Sequence, residues 1–284
     1  MSDTKLVNWL FQTGAVRVCP ENKPFWYTSG TIGPYYINTH FLYGSEKKAL
    51  ELLEKIDAFK ADKLSCPEKL LPLIEANYNS DRIFKGLIDS MLEFVGNNID
   101  LESITYISGG ERRDWYFSLI LAKKLDKPHI TIYKDLSTVI TQDGQTDAAI
   151  SINGANVLHI ADLITEASSY ERAWIPAIKN ICGQLKCSVV VIDRLQGGGE
   201  LLEKNDVCSF ALTSIDRKFF RSALDMELIN KGQYDMLLKY IANPRESMKA
   251  FLKEHPEFME EALQSDDRTR ERAQLCIDSK IYKF

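Results

Sequence analysis

The stretch Val157-Leu-His-Ile-Ala-Asp-Leu-Ile-Thr-Glu-Ala-Ser-Ser169 decides how this chain is read. Its first residues are mostly apolar and predict a buried strand over 156–160, with Asp162 where the strand ends. Ile164-Thr-Glu-Ala-Ser-Ser169 is then a turn of small and hydroxyl-bearing side chains, and helical signals run from Tyr170 to Gln184. A strand that ends in an acid and passes through a hydroxyl-rich turn into a helix suits a phosphorylated sugar. The first N–H groups of a helix have no partner inside it and attract phosphate, while the acid can accept sugar hydroxyls. The same residues also fit an ordinary strand followed by a capped helix, since Ser and Thr favour caps. Other segments have to decide between the two.

Four further stretches do so. Leu6-Val-Asn-Trp-Leu-Phe-Gln-Thr-Gly-Ala-Val-Arg-Val18 precedes Phe25-Trp-Tyr-Thr-Ser-Gly-Thr-Ile-Gly-Pro-Tyr-Tyr-Ile-Asn38, and Val189-Val-Val-Ile-Asp-Arg194 precedes Gly197-Gly-Gly-Glu200. With 157–169, in this order and spacing, they resemble the type I phosphoribosyltransferases, and among these the orotate phosphoribosyltransferases. The resemblance covers residues 6–44 and 104–215. It implies an α/β fold, a central mostly parallel sheet flanked by helices under an N-terminal hood (1–44), here with an extra helical insertion at 62–98. A phosphoribosyltransferase-like domain over 1–215 and a helical C-terminal extension over 216–284 follow.

The resemblance also implies an activity, the transfer of ribose 5-phosphate from phosphoribosyl pyrophosphate (PRPP) to a nitrogenous base, with Mg²⁺ carried by PRPP and not held by a dedicated protein site. The 5-phosphate and ribose fall to Asp162, Thr165, Glu166, Ala167, Ser168 and Ser169. Ser108-Gly-Gly-Glu-Arg-Arg-Asp114 takes the place of the pyrophosphate loop. There Gly109 and Gly110 allow close backbone approach, beside Glu111, and Arg112 and Arg113 supply charge. Lys134 and Asp162 are the catalytic candidates, and Tyr35, Tyr36 and Arg194 the base-binding ones. A homodimer is implied as well.

The chain departs from the family pattern at several of these places. The signature has two adjacent acids, and here the first is Ala161; His159 interrupts the strand. Glu166 lies inside the phosphate loop, where a carboxylate repels phosphate, and Ala167 and Ser168 replace glycines. In the mobile catalytic loop, Tyr133 replaces an arginine, Ser137 a lysine, and no Lys, Arg or His occurs from 135 through 158. Thr28 replaces a pocket lysine. These losses favour a second reading, a catalytically impaired relative that binds PRPP or a nucleotide in a regulatory or structural role. A Rossmann-like cofactor protein fits less well, because no GxGxxG follows a strand.

Composition sets outer limits. With 284 residues, 45% hydrophobic and 26% charged, the chain can bury a large core. A net charge of −5 gives no electrostatic case for nucleic acid or an anionic membrane. Met1-Ser-Asp-Thr-Lys5 lacks a signal-peptide core and no apolar run spans a bilayer, so a cytoplasmic protein is expected. The six cysteines include no CxxC pair, and Cys182 and Cys187 read as core fillers without a metal.

Along the chain, helices are predicted over 5–13, 45–61 (capped by Ser45, with Leu50, Leu53 and Ile56 inward), 67–77, 81–95 and 115–124. Strands are predicted over 35–40, 104–108, 130–133, 156–160 and 188–192. Such alternation argues for a parallel sheet. From Asp216 onward the pattern is helical, with breaks at Gly232, Asn243-Pro244 and His255-Pro256.

Overall fold

The computed structural model describes residues 3–282. Contacts divide the chain into two compact units. One holds the chain up to Ala15 together with Thr39–Ile215, and the other holds Val16–Asn38 together with the chain from Asp216.

The second unit begins with four very short strands, β1 (Val16–Val18), β2 (Phe25–Trp26), β3 (Ile32–Gly33) and β4 (Tyr35–Ile37). β1 pairs antiparallel with β4, and β2 with β3. Strands of two or three residues cannot hold themselves together in water, and here the C-terminal helices support them. Trp26 stacks on Phe258 at 5.5 Å, Arg272 donates to the Trp26 carbonyl at 2.8 Å, and the Ile32 N–H donates to the Tyr282 hydroxyl at 3.0 Å. Gln233 closes a capping box with Asn230 and donates to the Cys19 carbonyl at 3.0 Å. The segment expected to complete a hood over 1–44 therefore packs, from 16 to 38, with the helical extension.

The first unit is built on a seven-stranded sheet. Its strands are β5 (Tyr106–Gly110), β6 (His129–Ile132), β7 (Thr138–Gln142), β8 (Gln145–Ala148), β9 (Asn156–Ile164), β10 (Gln184–Asp193) and β11 (Cys208–Ser214). The order is β11-β10-β9-β5-β6-β7-β8. The pairs from β11 to β6 are parallel, and β7 and β8 add an antiparallel edge. Strands β6, β9 and β10 are buried over most of their length, which is why they read as near-continuous apolar runs. The helix Trp115–Lys124 follows β5 and is buried from Trp115 through Ala122.

The expected insertion over 62–98 forms the helices Ser65–Ser80 and Arg82–Asn98. Asp81 caps the second by accepting from the N–H groups of Ile83 and Phe84, each at 3.0 Å. Ser45 caps Glu46–Phe59 as expected, but the inward face is Ala49, Leu52 and Ile56, and Leu50 is 43% exposed. Cys187 is buried, whereas Cys182 is exposed and fills no core.

Two expectations near the deciding stretch need correction. β9 runs on to Ile164, so Asp162 sits inside the strand and not at its end. The segment from Tyr170 is a single π-helical turn, Tyr170–Trp174, followed by a short helix, Ile175–Asn180. The expected open loop after Lys134 is a third difference. Residues 138–148 form the β7–β8 hairpin, whose Asp143-Gly144 turn has φ of 51° and 79° at its two central positions. Both angles suit a type I′ turn.

Candidate active site

Ligands of open α/β sheets bind beyond the carboxyl ends of the strands. There the first unit has a cleft of about 340 Å³, walled by Glu111–Asp114 after β5, Lys134 after β6, 161–170 at the end of β9, and Trp174. It gathers three of the segments chosen from sequence: the Glu111–Arg113 loop, Lys134, and the Asp162–Ser169 turn.

The turn is tight. Ala167 takes a left-handed backbone (φ 55°), a conformation that costs a non-glycine residue about 1 kcal/mol. Glu166, Ser168 and Ser169 are exposed, and Thr165 is half-buried. Glu166 is thus free to turn its carboxylate outward, the arrangement that a phosphate in the turn requires.

Asp162 is 8% exposed. Its Oδ1 accepts the Leu163 N–H at 2.7 Å, and its Oδ2 has no hydrogen-bond partner. Burial first, then the nearby Asp114 carboxylate, raise its pKa to about 7, against the pull of Arg113. Asp114 lines the cleft beside Asp162, although the sequence did not single it out. An acid just ahead of an apolar helix looks like a cap, yet Asp114 makes no cap bond. Instead its Oδ2 accepts the Gly110 N–H and its Oδ1 the Asp162 N–H, each at 3.0 Å.

Beneath this pair His159 is fully buried, its Nδ1 2.9 Å from the Ser108 hydroxyl and its Nε2 3.4 Å from Asp114 Oδ2. Trp174 stacks on it at 6.1 Å, and Tyr170 meets it edge-on at 5.1 Å. The residue that seemed to interrupt the strand is part of a packed polar floor.

Gly109 and Gly110 do not line the cleft. A Cβ on Gly109 would meet the Ser118 hydroxyl at 2.1 Å, and one on Gly110 the Trp174 ring at 2.2 Å. Side-chain packing demands glycine at both positions. The peptide bond between Glu111 and Arg112 is cis.

Two of the loop's charges, Glu111 and Arg112, are already paired. Arg112 forms an ion pair with Asp57, while Glu111 accepts from Lys60 at 3.3 Å and from the Lys134 N–H at 3.1 Å. Arg113 is exposed, and with Arg112 it helps to hold the buried His40 at a pKa of about 3, an effect led by burial.

Tyr133, at the position of the missing arginine, is 2% exposed; it packs edge-on against Trp115 at 5.2 Å and donates to the Lys63 carbonyl at 2.8 Å. Ser137 donates to Asp135 Oδ1 from its N–H and its hydroxyl, and Asp135 also pairs with Lys63.

The base-binding candidates are placed otherwise. Tyr35 and Tyr36 belong to the second unit. There Tyr35 packs against Phe220 and Tyr240 at 5.5 and 5.7 Å, and Tyr36 against Phe25 and Tyr27 at 6.1 and 6.0 Å. Arg194 follows β10, and its N–H donates to the Ile164 carbonyl at 3.0 Å. Among the described residues no group of three or more His, Cys, Asp or Glu is placed to hold a metal ion, and no helix is long and apolar enough to cross a membrane.

No family model matches the chain, and no curated protein matches it in sequence. Solved structures do. Leishmania donovani UMP synthase superposes with a TM-score of 0.55 at 15% identity, covering 85% of this chain, which spans only 42% of that one. The orotate phosphoribosyltransferase of Aeropyrum pernix superposes at 0.50 with 20% identity, covering 79% of this chain and 99% of its own. That of Francisella tularensis gives 0.52 at 14% identity, with 82% and 96% covered. The sheet, its helices and these superpositions agree: the chain has the type I phosphoribosyltransferase fold.

Proposed function

We propose that the protein is a phosphoribosyltransferase of the orotate type, which binds PRPP with its Mg²⁺ in the cleft of the first unit and transfers ribose 5-phosphate to a nitrogenous base. One observation carries this reading. Three segments far apart in sequence, each matching a different part of a PRPP site, wall one cleft at the carboxyl end of the sheet.

In this reading the turn 165–169 offers N–H groups and hydroxyls to the 5-phosphate. Asp162 accepts the ribose hydroxyls through its unpartnered Oδ2. Displacement at C1 builds positive charge on the ribose and negative charge on the departing pyrophosphate, so catalysis rests on alignment and on cations placed in advance. Arg112, Arg113 and Lys134 are the cations of the cleft wall. Arg112 must exchange Asp57 for a phosphate oxygen, a trade that a doubly charged pyrophosphate group makes favourable. Magnesium arrives with PRPP as part of the substrate.

A second reading, a relative that binds PRPP or a nucleotide without turnover, draws on the burial of Tyr133. A core aromatic stands there in place of an arginine. Two measurements separate the readings. Calorimetry with PRPP and Mg²⁺ tests binding, and a spectrophotometric assay with orotate tests turnover. PRPP binding without turnover supports the second reading, and no PRPP binding removes the first and leaves the second only as a nucleotide binder.

A further inference from the structure

We propose that Lys60, at the end of the helix Glu46–Phe59, is a positioning residue for the pyrophosphate end of the ligand. It cancels the carboxylate of Glu111 in the cleft wall and holds that carboxylate against the loop after β6. The role rests on the function proposed above, since only a pyrophosphate bound in this cleft makes it necessary.

The cleft is poorly charged for such a ligand. Among its lining residues four carboxyls stand against the three cations named above. Glu111 is the worst placed of the four, at the start of the loop that has to accept pyrophosphate, where one anion repels another. Its side chain is only 8% exposed, so solvent screens it little.

Lys60 answers this from behind the wall. Its N–H donates to the Ile56 carbonyl at 2.9 Å and closes the helix, at an end where the backbone dipole favours a cation. Its ammonium lies 3.3 Å from Glu111 Oε1 and 2.7 Å from Asp57 Oδ1. The other Glu111 oxygen, Oε2, accepts the Lys134 N–H at 3.1 Å. One carboxylate, neutralised by Lys60, thus ties the loop after β5 to the start of the loop after β6 and fixes the backbone that carries the Lys134 side chain. Asp57 is shared, since it pairs with Arg112 as well as with Lys60. When Arg112 turns to a phosphate oxygen, Lys60 keeps Asp57 paired, which makes the exchange easier.

Tyr133 keeps this arrangement in place. Its hydroxyl donates to the Lys63 carbonyl at 2.8 Å, and the Lys63 ammonium lies over its ring at 5.4 Å. The turn that follows the helix is therefore pinned to the end of β6 by the very residue that stands where the resemblance implies an arginine. Lys63 itself pairs with Asp135, which leaves Lys60 as the cation that this turn directs at the cleft wall.

Calorimetry on the full chain at pH 8 with Mg²⁺ present tests this, with inorganic pyrophosphate and ribose 5-phosphate as separate probes of the two ends of the ligand. Lys60→Met should weaken pyrophosphate binding about fivefold, the worth of one partly exposed ion pair, and leave ribose 5-phosphate binding unchanged. Lys60→Arg, which keeps the charge, should bind pyrophosphate nearly as the wild type does. In a Glu111→Gln background, Lys60→Met should cost less than about twofold, because the charge it cancels is gone. Unchanged pyrophosphate binding in Lys60→Met overturns the proposal, as does an equal loss of both probes, which marks a general structural role. A loss undiminished by Glu111→Gln shows that Lys60 does not act through Glu111 and overturns it equally. A wild type that binds ribose 5-phosphate alone sinks this role, and one that binds neither probe sinks the proposed function as well.

Discussion

Burial and Asp114 lift the Asp162 carboxyl to about 7, so the folded chain holds this proton more tightly than the unfolded one. A group whose folded pKa is raised contributes stability that is complete below its unfolded value, near 4, and lost as pH rises through 7. The wild type should lose thermal stability between pH 4 and pH 8 on this account. Asp162→Asn, which cannot ionise, should melt higher than the wild type at pH 8, by on the order of 2–4 °C for each kcal/mol recovered. Scanning calorimetry checks the sign. A variant that melts lower by the same margin at both pH values would show that Asp162 is not held neutral. Glu166 makes a second case. It is exposed, so Glu166→Thr should strengthen PRPP binding, by no more than about fivefold, since an exposed charge is worth about 1 kcal/mol or less. Weaker binding would contradict the placement of the phosphate in this turn. Single residues also mark where sequence stops being informative. Ala161 is visibly the wrong residue for an acid pair, but nothing in the string shows that Asp114 stands beside Asp162, because that contact crosses 48 residues and depends on the strand order.

Among elements, the helix Trp115–Lys124 has the bounds that its apolar run predicts. Burial from Trp115 through Ala122 leaves few alternatives. β9 is longer than its apolar run, and the Asp162 N–H inside it is satisfied by Asp114 from another element. The β7–β8 hairpin is legible in part: Asp143-Gly144 after the β-branched run Thr138-Val-Ile-Thr141 is a strong local signal. The packing of the β5 end is not, since no local pattern reveals that the Trp174 ring covers Gly110. Gly110→Ala would press a methyl into that ring, which is pinned against His159. The expected cost is about 1–3 kcal/mol of stability, with loss of ligand binding. Urea unfolding measures it. A variant as stable as the wild type would mean that Trp174 can move aside.

At the scale of the whole chain, the resemblance leads to the fold of the sheet unit but gives no warning that residues 16–38 pack with the C-terminal helices. Strands of two and three residues carry too weak a period to be read, and their partners lie up to 250 residues away. We expect a homodimer on the strength of the orotate resemblance. Light scattering at micromolar concentration should give about twice the 32.4 kDa of one chain, and a monomer would refute the expectation. With orotate, turnover should fall well short of the ~10 s⁻¹ typical of enzymes. Tyr133, Ser137 and Thr28 stand where the resemblance implies cations, and losing one such preorganised group commonly costs about 10²–10³ in rate. The central claim is narrower than turnover and can be tested by one titration: PRPP with Mg²⁺ into the full chain at pH 8, followed by calorimetry. One equivalent should bind with a dissociation constant below about 1 mM, the upper end of ordinary substrate affinities, and binding should fail in Asp162→Asn. No binding by the wild type, or equal binding by the variant, would contradict the assignment of this cleft to PRPP.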